Sequence, residues 1–155
     1  MEPRFIADAM LGKLATWLRI IGCDVVFLPD VADDRLIALS QAEGRLILTR
    51  DTRLAQRRAA RDNLFFVRGD DYRDQLRQVV TAFAIDPDKR FLSRCLRCNE
   101  PLEEIDRETA AERVPPYVFD TQELFRGCPA CGRLYWGATH RDAMSRQLKE
   151  ILTRP

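Results

Sequence analysis

RFIADAMLGKLATWLRIIGCDVVFLP, residues 4–29, reads as strand, helix, strand. Arg4-Phe5-Ile6-Ala7 is a short apolar run of the kind that makes a buried strand. Met10, Leu11, Leu14, Leu18 and Ile21 then recur at helical spacing, and Gly22 is placed to end the helix. Val25 to Leu28 form a second strand, closed by Pro29. Working outward, Asp33 is positioned to cap a helix running to about residue 42, with Leu36, Ile37 and Leu39 as its apolar face and Gly44 beyond its end. Residues 45–49 (RLILT) predict a third strand, 52–61 a polar, Arg-rich helix, 64–67 (LFFV) a fourth strand, and 71–83 a last helix. Strands alternating with helices predict an α/β fold: a parallel sheet with helices on its faces. Asp86-Pro87-Asp88-Lys89 marks a boundary, dividing the chain into 1–88 and a smaller module at 89–155.

On such a sheet, ligands bind beyond the carboxyl ends of the strands. Asp8 follows the first strand there, Asp51 follows the third, and Asp33 opens a helix that starts on the same side. Each also has a plainer reading as a helix cap, and the two roles are compatible. Carboxylates gathered together repel, so three of them call for a cation. Hard oxygen ligands select Mg2+ or Mn2+, ions that serve phosphodiester hydrolysis. Asp34, Asp70 and Asp71 are further acids whose default reading is surface charge. Arg50, Arg53, Arg57, Arg58 and Arg61 make a basic stretch beside Asp51. It fits a phosphate backbone and equally a solvated helix face. Lys13 and Arg19 project from the first helix and are candidates to reach a substrate.

The second half carries Cys95-x-x-Cys98 and Cys128-x-x-Cys131, with Asn99 and Gly132 following each pair. Two-residue spacing turns both thiolates of a pair toward one ion, and Asn or Gly allows the tight turn behind it. Four thiolates suit a tetrahedral Zn2+ with no open position, hence a structural rather than a catalytic ion. A redox CxxC would open a helix after a strand, and one would be enough. The 29 residues between the pairs leave room for strands or an insertion. Cys23 reads as a small residue near the core, and His140, the single histidine, as structural.

Composition sets the frame. The chain has 155 residues, 46% hydrophobic and 32% charged, enough apolar content for a packed core. With 25 basic and 24 acidic residues the net charge is +1, so bulk charge announces neither a nucleic-acid binder nor a membrane binder. Three of the basic residues are Lys; the Arg excess suits phosphate recognition but follows equally from codon bias. No apolar stretch approaches a membrane span and the N-terminus lacks a signal-peptide layout, which sets the expectation of a cytoplasmic protein with reduced thiols.

The runs DAMLGKLATWLRIIGCDV (8–25), DDRLIALSQAEGRLILTRD (33–51), RCLRCNEPL (94–102) and FRGCPACGRLYWGATH (125–140) together resemble the mutator-seven C-terminal RNase family. The resemblance covers nearly the whole chain in order. It implies a PIN-like nuclease domain followed by a zinc ribbon, and a Mg2+- or Mn2+-dependent ribonuclease acting on RNA. Carried over by position, Asp8, Asp33 and the Asp51 of Thr-Arg-Asp match the family's acids, with Asp34 the alternative to Asp33 and Asp70 the nearest candidate for a fourth. Lys13, Arg19 and Arg50 are the expected substrate contacts. The competing function is a non-catalytic module that binds RNA or a protein partner through the zinc ribbon.

Overall fold

The computed structural model describes residues 2–153, and of residues 138–140 the backbone alone. The His140 side chain therefore lies outside the described residues. Strands β1 (Arg4–Ala7), β2 (Asp24–Phe27), β3 (Leu46–Thr49) and β4 (Leu64–Phe66) form one sheet in the order β2-β1-β3-β4. Every pairing is parallel. The second strand begins one residue earlier than its apolar run, because Asp24 pairs with Arg4, and it releases Leu28 to solvent.

Successive side chains of a strand point to opposite faces, and both central strands use this. Phe5, Ala7 and Leu48 enter one core with Leu14, Leu18, Leu76 and Val79. These belong to α1 (Gly12–Ile20) and α5 (Tyr72–Ala82). Ile6 and Ile47 enter the other core with Leu36 and Ile37 of α2 (Asp33–Glu43) and with Leu54 and Ala60.

Three local expectations are corrected. The first helix opens as a 3-10 turn over Ala9–Leu11, tightened by Asp8, whose Oδ1 accepts from the Met10 N–H at 2.9 Å. Asp33 is not the cap of α2: Ala32 holds that position without a side-chain bond, and Asp33 is the first helical residue. Its charge there still suits the positive end of the helix dipole. The single helix expected over 52–61 is two, α3 (Thr52–Gln56) and α4 (Arg58–Arg61), broken at extended Arg57. Leu54 and Ala60 lie six positions apart, which on an unbroken helix separates them by about 120° around the axis. The break lets both bury in one core.

Beyond residue 89 a second sheet is antiparallel, order β5-β6-β7, built from β5 (Glu103–Ile105), β6 (Phe125–Gly127) and β7 (Leu134–Tyr135). Two short helices, α6 (Arg107–Ala111) and α7 (Pro116–Thr121), fill the interval between the cysteine pairs and close a small core of Ala110, Val114, Val118 and Phe125. The last helix, α8 (Ala138–Thr153), returns to the first sheet: Leu148 and Ile151 join its core, and Arg77 donates to the Ile151 carbonyl at 2.6 Å. No described helix is long and apolar enough to cross a membrane.

Strand β2 is an edge, and an uncovered edge is a liability. Here residues 94–99 cover it. Asn99 Oδ1 accepts from the Val25 N–H at 2.9 Å, and its amide donates to Asp24 Oδ1 at 2.7 Å. Arg94 donates to the carbonyls of Gly22 and Asn99 at 3.2 and 2.8 Å. Gly22 has φ +91°, and a Cβ there would meet the Arg90 carbonyl oxygen at 2.4 Å, so only glycine fits this crossing. Asp24 also takes buried Arg45 at 2.6 Å. Partial burial works to raise the Asp24 carboxyl, but hydrogen bonds from Arg45 and Asn99 outweigh it and hold the group below its usual range. A depressed folded pKa contributes stability that is present above the unfolded value of about 4 and lost as pH falls through the folded one. Asp24→Asn is therefore expected to lower stability at pH 7 by about 2 kcal/mol, the remaining Glu43 partner of Arg45 limiting the loss. The variant should also show a shallower loss of stability between pH 5 and pH 3 than the parent, about these unfolded-state carboxylate values. Urea melts across that range check both statements.

Candidate active site and metal centre

In the order β2-β1-β3-β4 the connections leave β1 toward one side and enter β3 on the other. The carboxyl ends of β1 and β3 thus flank the point where an open parallel sheet forms its ligand crevice. Asp8 and Asp51 sit there. The Asp8 N–H donates to the Leu48 carbonyl at 3.1 Å, which extends the strand pairing by one residue and draws Asp8 into the sheet. Thr49 joins the two acids: its hydroxyl donates to Asp8 Oδ2 and accepts from the Asp51 N–H at 2.9 Å. Asp51 Oδ1 caps α3 through the Arg53 N–H at 2.9 Å.

Asp8 is 7% exposed. Its two oxygens accept hydrogen bonds from Met10 and Thr49, but among the described residues no Lys or Arg pairs with it. A buried carboxylate without a counter-charge is costly. Asp33, by contrast, is exposed on the first turn of α2 and hydrogen-bonds to neither acid. Asp34 is committed to Arg57 at 2.5 Å, a bond tying the start of α2 to the α3–α4 break. Asp70 is exposed, lining a cleft with Met10, Lys13 and Tyr72. Among the described residues, the four cysteines are the group of three or more metal-ligating side chains gathered closely enough to hold an ion; the aspartates do not form such a group by themselves.

Of the expected substrate contacts, Arg50 is half-buried next to Asp51, and Lys13 is exposed with its Nζ 5.5 Å from the centre of the Tyr72 ring. Arg19 is corrected. It is 8% exposed and points inward, donating from Nε to the Val25 carbonyl at 2.9 Å and from its terminal nitrogen to the Leu96 and Arg97 carbonyls at 3.0 and 3.3 Å. Its neighbours on α1, Leu18 and Ile20, are core, so position 19 falls on a buried flank, and the planar fork satisfies three carbonyls there.

The cysteine pairs form two matching turns. Behind the first, Asn99 N–H donates to Cys95 O at 2.9 Å and Asn99 takes φ +71°; behind the second, Gly132 N–H donates to Cys128 O at 2.8 Å with φ +75°. The N–H groups of Cys98 and Cys131 face the sulfurs of Cys95 and Cys128 at 3.4 and 3.5 Å. All four sulfurs lie within 4.8 Å of one another, and Cys95 and Cys131 are 3.8 Å apart. Zn–S bonds of about 2.3 Å give tetrahedron edges of about 3.8 Å, so the quartet fits Zn2+. Burial pushes the Cys95 thiol up, but the Tyr135 hydroxyl at 3.2 Å and the N–H groups of Cys98 and Arg97 bring it down to about 6. Cys98, bonded to the Cys131 sulfur, is pushed up to about 12. One thiolate is thus favoured by the fold, and a dication is what ionises the rest. Cys23 lies apart, packed against the first core, its thiol pushed up to about 12 by burial.

The sequence description Mut7-C RNAse domain matches residues 3–148. The chain belongs to this family. Comparison with curated proteins and with solved structures finds no significant match. Membership places this Mut7-C domain in a ribonuclease family, which suggests RNA as a substrate. Sequence reasoning had passed over two contributors. Thr49 was legible as the polar last residue of an apolar strand and the first of Thr-Arg-Asp, with nothing to mark its bonds to the two acids. Tyr135, whose hydroxyl sits between Cys95 Sγ and the Leu96 N–H, gave no signal, since its partner is 40 residues away.

Proposed function

We propose that this Mut7-C domain is a metal-dependent ribonuclease that hydrolyses RNA phosphodiester bonds at the β1–β3 edge. The observation that carries the reading is Asp8: a buried carboxylate, each oxygen accepting one hydrogen bond with a lone pair to spare, without a cationic partner among the described residues and coupled through Thr49 to Asp51. Two carboxylates on a rigid sheet edge suit Mg2+ or Mn2+, which keep several waters and need only one or two protein carboxylates. Asp8 and Asp51 would hold the ion, and Asp33, exposed on the first turn of α2, would join through water. When bound, the ion supplies charge neutralisation at the phosphate and a more acidic water. Thr49 fixes the Asp8 carboxylate and leaves it acceptor-only. Arg50 and Lys13 flank the edge and would draw in and orient the RNA backbone. The four-cysteine Zn2+ takes no part in chemistry, having no open position.

The test is cleavage of single-stranded and hairpin RNAs by zinc-loaded protein. Activity should be absent without added cation, appear with Mg2+ or Mn2+, and not appear with added Zn2+ alone. RNA that is bound but uncut under every cation would transfer the function to a non-catalytic RNA-binding module.

A further inference from the structure

At the opposite, amino-terminal edge of the first sheet, the chain crosses from residue 88 into the zinc-bearing half, and positive charge gathers there. Lys89, Arg90, Arg94, Arg126 and Arg141 line one cleft of about 450 Å³ with Asp88 as its single acid. Arg126 and Arg141 also line an adjoining cleft of about 420 Å³ whose wall includes Glu123 and Trp136, the latter 40% exposed. Arg90 is paired with Glu2 at 2.7 Å. The other four cations form no ion pair among the described residues, although the Asp24 carboxylate lies close enough to Arg94 to feel its charge. Two of them are nevertheless held in place: Arg94 by the Gly22 and Asn99 carbonyls, and Arg126 by the Leu92 carbonyl at 3.3 Å. Carbonyls position a guanidinium without cancelling its charge. A chain of net charge +1 thus gathers five cations against two acids, Asp88 and Glu123, along one trough.

We propose that this trough is a binding surface for single-stranded RNA, with Lys89, Arg94, Arg126 and Arg141 on the backbone and Trp136 stacking a base. Cations lining a groove beside an exposed aromatic ring are how single strands are held without sequence readout. A protein partner would demand carboxylates in matching positions, whereas a phosphate backbone meets this charge wherever it lies. Asp8 follows the carboxyl end of β1, a strand of four residues or about 13 Å, whereas the trough lies toward its amino end. It goes beyond the nuclease reading and does not depend on it.

The test is fluorescence anisotropy of a labelled, mixed-sequence 20-nucleotide RNA with the zinc-loaded full chain, without Mg2+ or Mn2+, so that binding is read apart from cleavage. Lys89 and Arg141 are both exposed, so Lys89→Gln/Arg141→Gln should keep its melting temperature and zinc content. It should bind about tenfold or more weakly and reduce the slope of log K against log salt by about 1.4, the share of two phosphate contacts on a single strand. Trp136→Ala should weaken binding about tenfold with the slope unchanged. Lys89→Arg/Arg141→Lys, which keeps both charges, should retain the parent slope. Parent-like affinity and slope in the Gln double variant would overturn the proposal. So would a Trp136→Ala protein that binds RNA as tightly as the parent, since the trough would then hold anions without touching bases. A protein that cuts no RNA yet loses binding in both variants upholds the trough and removes only the nuclease reading.

Discussion

Asp8→Asn is expected to lower RNA cleavage by at least about a hundredfold while the protein stays folded, the scale seen when a metal site loses a supporting interaction. The argument is local. Oδ1 still accepts the Met10 N–H in the variant, so the turn that opens the first helix persists. The new amide nitrogen replaces an acceptor opposite Thr49, whose hydroxyl already accepts from the Asp51 N–H and has a second lone pair for it. What is lost is the negative charge, and with it half of the ion's protein ligands. Removing an unpaired buried charge relieves a desolvation cost, so the melting temperature of the metal-free variant should equal or exceed that of the parent. Single-turnover cleavage at saturating Mn2+, with thermal melts of both proteins, reads the two effects separately. Cleavage at the parent rate would place the activity elsewhere. Asp34→Asn is the contrasting control: it loses one exposed ion pair with Arg57, worth about 0–1 kcal/mol, and should cut RNA nearly as the parent does.

Cys95→Ser should have the largest effect on stability, and it should not stop at the zinc module. The parent is expected to hold one zinc per chain, and the variant to lose it and to melt about 10 °C or more below the parent, since structural zinc binding is itself folding free energy. The first cysteine turn carries Asn99, and Asn99 holds the Val25 N–H and the Asp24 carboxylate. Arg19 binds the Leu96 and Arg97 carbonyls from the other side. Loss of the ion therefore frees the cover of the edge strand. By hydrogen exchange the Val25 amide should lose protection, whereas the Ile47 amide, bonded to the Asn63 carbonyl at 3.0 Å inside the sheet, should keep it. Retained zinc, or an unchanged Val25 amide, would show that the two halves are not coupled in this way. The same coupling governs chelator experiments: EDTA acts on the structural ion as well as on any Mg2+ or Mn2+, so restoration by Mg2+ or Mn2+ must be accompanied by a zinc assay.

Much of this was legible in the sequence, for a physical reason. Strand and helix periods are local properties, so the runs at 4–7, 25–28, 45–49 and 64–67 announced a parallel sheet, and the structure moves their ends by about a residue, the usual uncertainty of element boundaries. The doubled CxxC, with Asn99 and Gly132 behind it, announced the cysteine cluster, because two-residue spacing by itself turns both sulfurs of a pair the same way; the packing brings the two pairs together. Placing Asp8 and Asp51 at one sheet edge followed from topology. Other features depended on residues far apart in the chain, and only the tertiary structure could decide them. Arg19 looked like a surface cation until the first cysteine turn, 77 residues on, supplied carbonyls for it. Asp33 looked like a cap until the preceding residue took that place, and it stays outside the pair that Thr49 joins. The helix over 52–61 broke because two apolar residues had to reach one core. Spacing determines what a segment can form by itself; the partners of a buried charge are set by the packing that surrounds it.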